Sequence, residues 1–309
     1  MKRSLIVAAL AATAATSALA QSNVTIYGRI NTTVERVKEG DTSSTQMNNN
    51  SSRIGFKGTE DLGGGLKAMF VLEHGFDSTT GAGPASMWGR EATVGLSGNF
   101  GTVRLGRMPA SEAYFATADY VSMHNHDTGT SSDAFYAGSA LAFCGGLSNA
   151  IAYTSPTVSG ASIALQKGMR EGGLANPFSM GVNYDAGPLH LGLGYETCAG
   201  AKSTAVRALY EMGALTVGGY YEANSGTFKR DGNLRLAAMY AMGAGEFHVN
   251  LGMAGEQNDV ADTDAKQFTL GYNHNLSKRT KAYTYYTKID ASGSASDFSS
   301  LAFGVRHNF

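Results

Sequence analysis

The sequence predicts an all-β protein: a 16-stranded antiparallel transmembrane β-barrel with an inward-folded third extracellular loop. Three observations lead to this fold class. Apolar and polar residues alternate along many short segments, the connections between segments alternate between short and long, and charged residues stand on the polar side of the alternation. The composition agrees, because 40 Gly, 15 Tyr and 14 Phe against only 5 Pro favour strands joined by turns.

The alternation has a period of two, which is the period of side chains on a strand. Leu301, Phe303 and Val305 at the end of the chain, for example, are separated by Ala302 and Gly304. The candidate strands are 23–36, 47–60, 66–76, 86–98, 101–107, 149–155, 161–170, 178–185, 188–196, 202–211, 214–222, 231–242, 245–255, 263–275, 278–289 and 298–309.

Two architectures give this pattern, a soluble sandwich with its apolar faces inward and a membrane barrel with its apolar faces outward. The even number of strands and the alternation of tight connections with long polar ones, such as 37–46 and 77–85, favour the barrel. Charges on the polar face, including Glu73 and Arg207, suit a water-filled lumen better than a packed core. A closed barrel also pairs every backbone group within lipid.

Residues 1–20 have the features of a cleaved secretory signal, with Lys2 and Arg3 before an apolar stretch and Ala18-Leu19-Ala20 as the cleavage site. The alternative, a membrane-spanning helix, needs about 20 apolar residues, and this stretch is shorter. Residues 21–309 then form a single barrel domain. The formal net charge of −1 gives no reason to expect nucleic acid as a partner.

Residues 108–148 form the longest connection, with four acidic residues and no Lys or Arg. A connection of this length without regular periodicity tends to be functional. We therefore expect it to fold into the space that the barrel encloses.

Several motifs resemble the general Gram-negative porins, especially the beta-proteobacterial type. They are QSNVTIYGRI at 21–30, SRIGFKGTEDLGGGL at 52–66, GREATVGL at 89–96, NFGTVRLGR at 99–107, NAIAYTSP at 149–156 and GVRHNF at 304–309. The resemblance implies an integral outer-membrane protein that is usually a homotrimer, in contact with outer-membrane lipid. It further implies that the C-terminal aromatic residue, Phe309, is a signal to the outer-membrane assembly machinery.

The resemblance also implies a constriction between acidic residues of the inward loop and basic residues of the wall. Carried onto this chain, the wall cations are Arg29, Arg53 and Arg90, although Arg90 shares parity with the apolar Val94 and Leu96. An isolated strand Arg can also be a solvated rim residue, and a loop acid can simply face solvent. The candidate acids are Asp119, Asp127, Asp133 and Glu112 of the loop and Glu73 of the wall. No cation occupies 144–153, where such porins often carry one, so the motifs predict no strong anion preference.

Two further features carry alternatives. His124 and His126 could bind a metal but lack a closed ligand set, so loop hydrogen bonding is favoured and no metal or cofactor is expected. Cys144 and Cys198 both fall on the long-loop side, where an oxidising compartment permits either a disulfide or two free thiols.

The predicted function is a water-filled channel for passive diffusion of small hydrophilic solutes and ions. Two alternatives remain at this point: an outer-membrane barrel hydrolase, and a structural or adhesion barrel with a closed pore. The hydrolase is disfavoured because the sequence contains no nucleophile elbow and no phosphate-binding Gly loop. We therefore expect a protein without enzymatic activity.

Overall fold

The computed structural model describes residues 23–123, 148–169, 177–293 and 297–309. Within them the chain forms one antiparallel sheet of 17 strand segments. In chain order these are β1 (Asn23–Glu39), β2 (Thr42–Asn49), β3 (Arg53–Gly63), β4 (Leu66–Gly75), β5 (Glu91–Gly98), β6 (Gly101–Arg107), β7 (Ala150–Thr154), β8 (Ala161–Gly168), β9 (Phe178–Ala186), β10 (Leu189–Cys198), β11 (Ala201–Met212), β12 (Leu215–Gly226), β13 (Arg230–Met242), β14 (Gly245–Ala254), β15 (Ala265–Asn275), β16 (Thr280–Ala291) and β17 (Phe298–Asn308).

The 17 segments occupy 16 positions around a closed barrel, as the sequence predicts. Segments β2 and β3 share one position, because β2 pairs with the second half of β1 and β3 with the first half. Residues 50–52 interrupt this position. The backbone N–H of Asn50 donates to the Asn31 carbonyl at 2.8 Å, so the interruption stays attached to β1.

The barrel closes between its first and last strands. Segments β1 and β17 pair from Arg29 opposite Asn308 to Glu39 opposite Phe298. Beyond this ladder, Gly28 and Phe309 exchange two backbone hydrogen bonds of 3.0 and 3.1 Å. The Phe309 ring lies against Gly28, where any Cβ would be 2.4 Å from the ring. The last residue is therefore part of the closing seam.

The alternation places apolar side chains outside and polar side chains inside. Val206 and Tyr210 of β11 are 49% and 46% exposed on the outer face, whereas Arg207 between them is 3% exposed on the inner face. On β1 the same division sets exposed Ile30 and Val34 against buried Asn31, Thr33 and Glu35. This arrangement is the one expected of a barrel whose outer surface faces lipid.

The connections are short at one end of the barrel. Gly64 and Gly65 join β3 to β4, and both have positive φ, +61° and +82°, which explains the choice of glycine. At the other end, the prediction of a loop at 37–46 is wrong. These residues extend β1 and β2 into a hairpin that turns at residues 40–41. Strand β2 is polar on both faces, so its sequence has no alternation to reveal it.

Candidate functional site

Residues 112–123 form a helical segment, called here the loop helix, at the start of the long connection after β6. It consists of a short α-helical turn, a π-helical stretch at Phe115–Asp119 and a second turn at Tyr120–Met123. Ser111 precedes it, and its Oγ accepts a hydrogen bond from the Tyr114 N–H at 3.1 Å. This hydrogen bond satisfies one of the N–H groups that the first turn leaves without a partner.

The loop helix lies inside the barrel against β9 and β10, where the wall is built from glycines. A Cβ at Gly192 would lie 2.2 Å from the Ala116 carbonyl oxygen, and one at Gly181 would lie 2.3 Å from the Glu112 carbonyl oxygen. At Gly194 the distance to the Ala113 carbonyl oxygen would be 2.8 Å. These three glycines, the glycine groove below, let the loop backbone approach the wall more closely than any other residue would allow.

Apolar contacts continue the attachment toward β11, β12 and β13. Ala118 and Val121 of the loop helix are fully buried in one cluster with wall residues. The wall members of this cluster are Ala205, Leu209, Tyr220 and Ala237. Burial of apolar surface contributes about 25 cal/mol per Å². These contacts are therefore the main non-polar contribution to holding the loop helix in place. The lumen face of the wall therefore has an apolar patch, which the alternation of polar and apolar residues in the sequence did not predict.

Two hydrogen bonds to wall side chains fix the ends of the loop helix. The Ala113 N–H donates to Ser179 Oγ at 2.9 Å. At the other end Arg235 Nη1 donates to Ser122 Oγ at 2.8 Å, while the rest of its guanidinium donates to Asn250 Oδ1. Because both ends are tied to strands of the barrel, the helix is held as a rigid element of the lumen.

A third polar contact surrounds Tyr120, whose hydroxyl donates to Asp185 Oδ1 at 2.6 Å. His190 Nδ1 lies 2.9 Å from the same hydroxyl and 2.8 Å from the same carboxylate oxygen, which requires the proton on Nδ1. The Arg207 guanidinium stacks 3.4 Å from the centre of the Tyr120 ring. Burial and the Asp185 hydrogen bond raise the pKa of Tyr120, so the phenol remains a neutral donor.

The predicted wall residues lie on the opposite side of the barrel. Arg29 and Arg53 are direct register partners on β1 and β3. Glu73 on β4 lies between the cations, with Arg90 Nε at 2.5 Å and Arg53 Nε at 3.7 Å. Like charges directly opposite destabilise a sheet, and the Glu73 carboxylate offsets part of this repulsion. The structure thus groups the three predicted arginines with the predicted wall acid.

Arg90 joins this group despite its apolar parity. It lies just before β5 begins at Glu91, and its N–H donates to the Glu73 carbonyl at 3.3 Å. Outside the regular strand the alternation does not apply, so its side chain can turn toward Glu73. Arg306 on β17 also belongs here, since it lies close enough to Arg53 to repel it. Its polar parity was visible in the sequence, but its proximity to Arg53 was not.

Glu112 of the loop helix does not contact any of these arginines. Its Oε1 pairs with Arg104 Nη2 at 3.3 Å, and Arg104 Nη1 pairs with Glu91 Oε1 at 3.3 Å. Burial raises the pKa of the Glu112 carboxyl, and the Arg104 charge opposes that rise. Arg104 and Glu91 were not among the predicted residues, because only the path of the loop brings Glu112 to them.

The remaining predicted residues divide into two groups. Asp119 ends the π-helical stretch and is half-buried. Cys198 is 2% exposed at the end of β10 and is disulfide-bonded. Asp127, Asp133 and Cys144, like the signal segment 1–20, lie outside the described residues. The bridge between Cys144 and Cys198 and the roles of these acids therefore stay predictions.

Two features are absent from the described part of the chain. No helix there is long and apolar enough to cross a membrane. No group of three or more His, Cys, Asp or Glu side chains within the same ranges is arranged to hold a metal ion.

A closed 16-position barrel with apolar residues outside, charges inside and a loop packed against its inner wall defines the class of outer-membrane channels. Residues 7–294 match the family model of the Gram-negative porins. The chain therefore belongs to the Gram-negative porin family, and it is an integral outer-membrane β-barrel that serves as a passive diffusion channel.

Named relatives agree with this assignment. The chain is similar to outer membrane porin protein 32 of Delftia acidovorans, at 34% identity over 92% of this chain and 88% of the relative. It is also similar to the major outer membrane protein P.IB of Neisseria lactamica, at 29% identity over the whole of both chains. Among solved structures, an anion-selective porin from Comamonas acidovorans superposes with a TM-score of 0.80 at 27% identity. That match covers 94% of this chain and 100% of the other.

Proposed function

We propose that this porin passes small hydrophilic solutes and ions between the loop helix and an arginine cluster on the facing wall. The cluster consists of Arg29, Arg53, Arg90 and Arg306. Among the 16 positions, β10 stands eight from β1, and β11 stands eight from the position that β2 and β3 share, so the cluster and the loop helix face each other across the lumen. A charged wall facing a polar loop orients water and polar solutes, whereas an apolar solute loses hydration without gaining partners.

The charge balance of the cluster carries a second part of the proposal, a moderate preference for anions. Two of the four guanidiniums, those of Arg53 and Arg90, pair with the Glu73 carboxylate, while Arg306 lies near Arg53 and Arg29 is the register partner of Arg53. The acids Glu91 and Glu112 are instead paired with Arg104. The Comamonas acidovorans relative is described as anion-selective, and it agrees in direction.

Planar-bilayer recordings under a KCl gradient test this proposal. The parent protein should give stepwise ohmic currents, with a reversal potential shifted toward the equilibrium potential of chloride. An electrically silent preparation would overturn channel function. Arg53→Ala should lower the ratio of chloride to potassium permeability about two-fold, since a unit charge about 7 Å from the path contributes about 0.6 kcal/mol in water before screening. Arg29→Ala should act in the same direction.

The control for these variants is Arg36→Ala. Arg36 is exposed near the end of β1, and its Nη1 donates to Thr45 Oγ1 in the hairpin that β1 and β2 form. The same charge is removed there, but far from the cluster. Equal reversal potentials for all three variants would show that Arg29 and Arg53 do not line the narrow part of the path.

The assembly is a further part of the proposal: a homotrimer without enzymatic activity, with Phe309 recognised by the assembly machinery and residues 1–20 removed on export. Large apolar side chains on the outer face, such as Val24 at 61% and Ile26 at 59% exposure, supply surface for both lipid and neighbouring copies. Light scattering of the detergent-extracted protein, corrected for bound detergent, should give three chains per particle, and one chain would contradict the trimer.

A further inference from the structure

Phe115 differs from the other apolar side chains of the loop helix because its ring is partly exposed and lies outside the apolar patch. The other apolar side chains within residues 112–122 are either buried or packed against that patch: Ala113, Tyr114, Ala116, Ala118, Tyr120 and Val121. Because the loop helix lies inside the barrel, the exposed part of the Phe115 ring faces the lumen.

The Phe115 ring is supported by its neighbour in the chain. Its centroid is 6.1 Å from the centroid of the Tyr114 ring, and the two planes are inclined at 52°. Aromatic rings attract one another at centroid distances of about 4.5–7 Å. Tyr114 in turn packs against the apolar patch, so Phe115 stands on a support that is fixed to the wall. It presents an ordered aromatic surface to the lumen.

A row of charged side chains connects the loop helix to the arginine cluster along the lumen face of the wall. Its members in order are Glu112, Arg104, Glu91, Glu73 and Arg90. Arg104 pairs with the two acids beside it at 3.3 Å each, and Glu91 is the register partner of Glu73. Glu112 precedes Phe115 by about one helical turn. The row therefore begins one turn from the exposed ring and ends at the cluster.

Arg90 is the member of the arginine cluster at the loop end of this row. Its Nε lies 2.5 Å from the Glu73 carboxylate, yet its side chain remains 35% exposed, compared with 27% for Arg53. A guanidinium has five N–H donors and binds carboxylates through parallel hydrogen bonds. The exposed part of Arg90 is therefore suited to hold the charged end of a solute whose other end lies toward the loop helix.

We propose that the passage has a binding site for organic anions with an aromatic body, with the anionic group on Arg90 and the ring against Phe115. This inference rests on the proposed function, in which the arginine cluster and the loop helix are the two sides of the path. A small aliphatic anion such as acetate meets only the charge, and a neutral aromatic solute meets only the ring. Benzoate gains both contacts.

The site is expected to be weak, which is what a channel requires. Contact between two aromatic rings should make benzoate bind about three- to ten-fold more tightly than acetate. Conduction needs binding that is favourable enough for the solute to enter and weak enough for it to leave. An affinity gain of this size retains the solute in the passage without trapping it.

Open-channel block in planar bilayers tests the proposal. Single channels of the protein extracted from outer membranes carry a KCl current at neutral pH, and potassium benzoate or potassium acetate is added to one side. A solute that occupies the passage interrupts the chloride current, so its half-blocking concentration measures its affinity. Benzoate should block the parent at a concentration about three- to ten-fold lower than acetate. Equal half-blocking concentrations would overturn the proposal.

Three substitutions assign the effect to the ring. Phe115→Ala should raise the half-blocking concentration of benzoate to that of acetate, whereas Phe115→Tyr retains a ring and should keep the parent's ratio. Phe268→Ala is the matched control, because it removes a 42% exposed ring from the outer face of β15 and should behave like the parent. If Phe115→Ala keeps the parent's ratio, the proposed ring contact does not exist.

Arg90→Gln tests the position of the anionic group. It should raise the half-blocking concentrations of benzoate and acetate by the same factor, because both anions lose the same charge. Unchanged block by both anions would contradict the assignment of Arg90. Failure of the proposed function would give a different result, namely no current or no chloride preference under a KCl gradient. A chloride-preferring current that benzoate and acetate block equally would overturn this inference alone.

Discussion

Gly192→Ala tests how the loop helix is held. The new Cβ would lie 2.2 Å from the Ala116 carbonyl oxygen, whereas unstrained carbon–oxygen contacts are about 3.3 Å or longer, so one side must give by about 1 Å. Gly192 lies in β10, which is hydrogen-bonded on both sides to β9 and β11. The loop helix has fewer backbone ties and should therefore move, away from the wall and into the passage.

The expected result is a lower single-channel conductance together with a loss of stability. Overpacking of this kind costs about 1–3 kcal/mol. For a barrel of this size we expect the unfolding midpoint to fall by a few degrees rather than the fold to be lost. Recordings in planar bilayers and thermal scans of the same preparation measure both effects.

The glycine groove supplies its own graded comparison. Gly181→Ala, with a distance of 2.3 Å, should resemble Gly192→Ala, and Gly194→Ala, with 2.8 Å, should have the smaller effect. Ala208→Val enlarges an exposed, outward side chain of β11 and should leave conductance unchanged. If Gly192→Ala conducts like Ala208→Val, the loop helix is not held by contact with the groove.

Three further predictions concern other parts of the chain. Burial raises the pKa of Glu112, so this carboxyl gains its proton at a higher pH than an ordinary glutamate. Because protonation removes a negative charge, anion preference should rise as the pH falls through that pKa. Glu112→Gln should abolish this pH-dependent change in the reversal potential. Deletion of Phe309 removes both backbone hydrogen bonds to Gly28 and should lower the yield of folded protein in the outer membrane, so a normal yield would contradict its role. Peptide mapping by mass spectrometry without reductant should recover Cys144 joined to Cys198, and two free thiols would end that prediction.

Most of the barrel was predictable because its signal is local. Alternation assigns each side chain to a face, and Glu73 and Arg53 were placed on the lumen side from parity alone. Strand β2 was predicted only at residues 47–49, and residues 42–46 were missed because the run Thr42–Asn49 has no apolar face; it is a strand only because β1 extends beside it. Local sequence cannot show such an imposed partner.

The candidate site was predictable in its wall and much less in its loop. The porin motifs pointed to Arg29, Arg53 and Arg90, and the structure groups these with Glu73. The path of the loop depends on small residues meeting small residues across a long sequence separation, as where Ala116 meets Gly192. Neither residue identifies its partner in the sequence, so the path of the loop could not be predicted. The pairing of Glu112 with Arg104 depends on that path and could not be predicted either.

The seam between β1 and β17 has a consequence for the order of folding. Among the strand pairings of the described residues, this one joins the partners farthest apart in sequence, so its closure has the largest entropic cost. Until β17 is available, β1 is an open edge with unpaired backbone groups, which is a template for aggregation. The unclosed barrel is therefore prone to aggregation, and the arrival of β17 decides when the barrel can close.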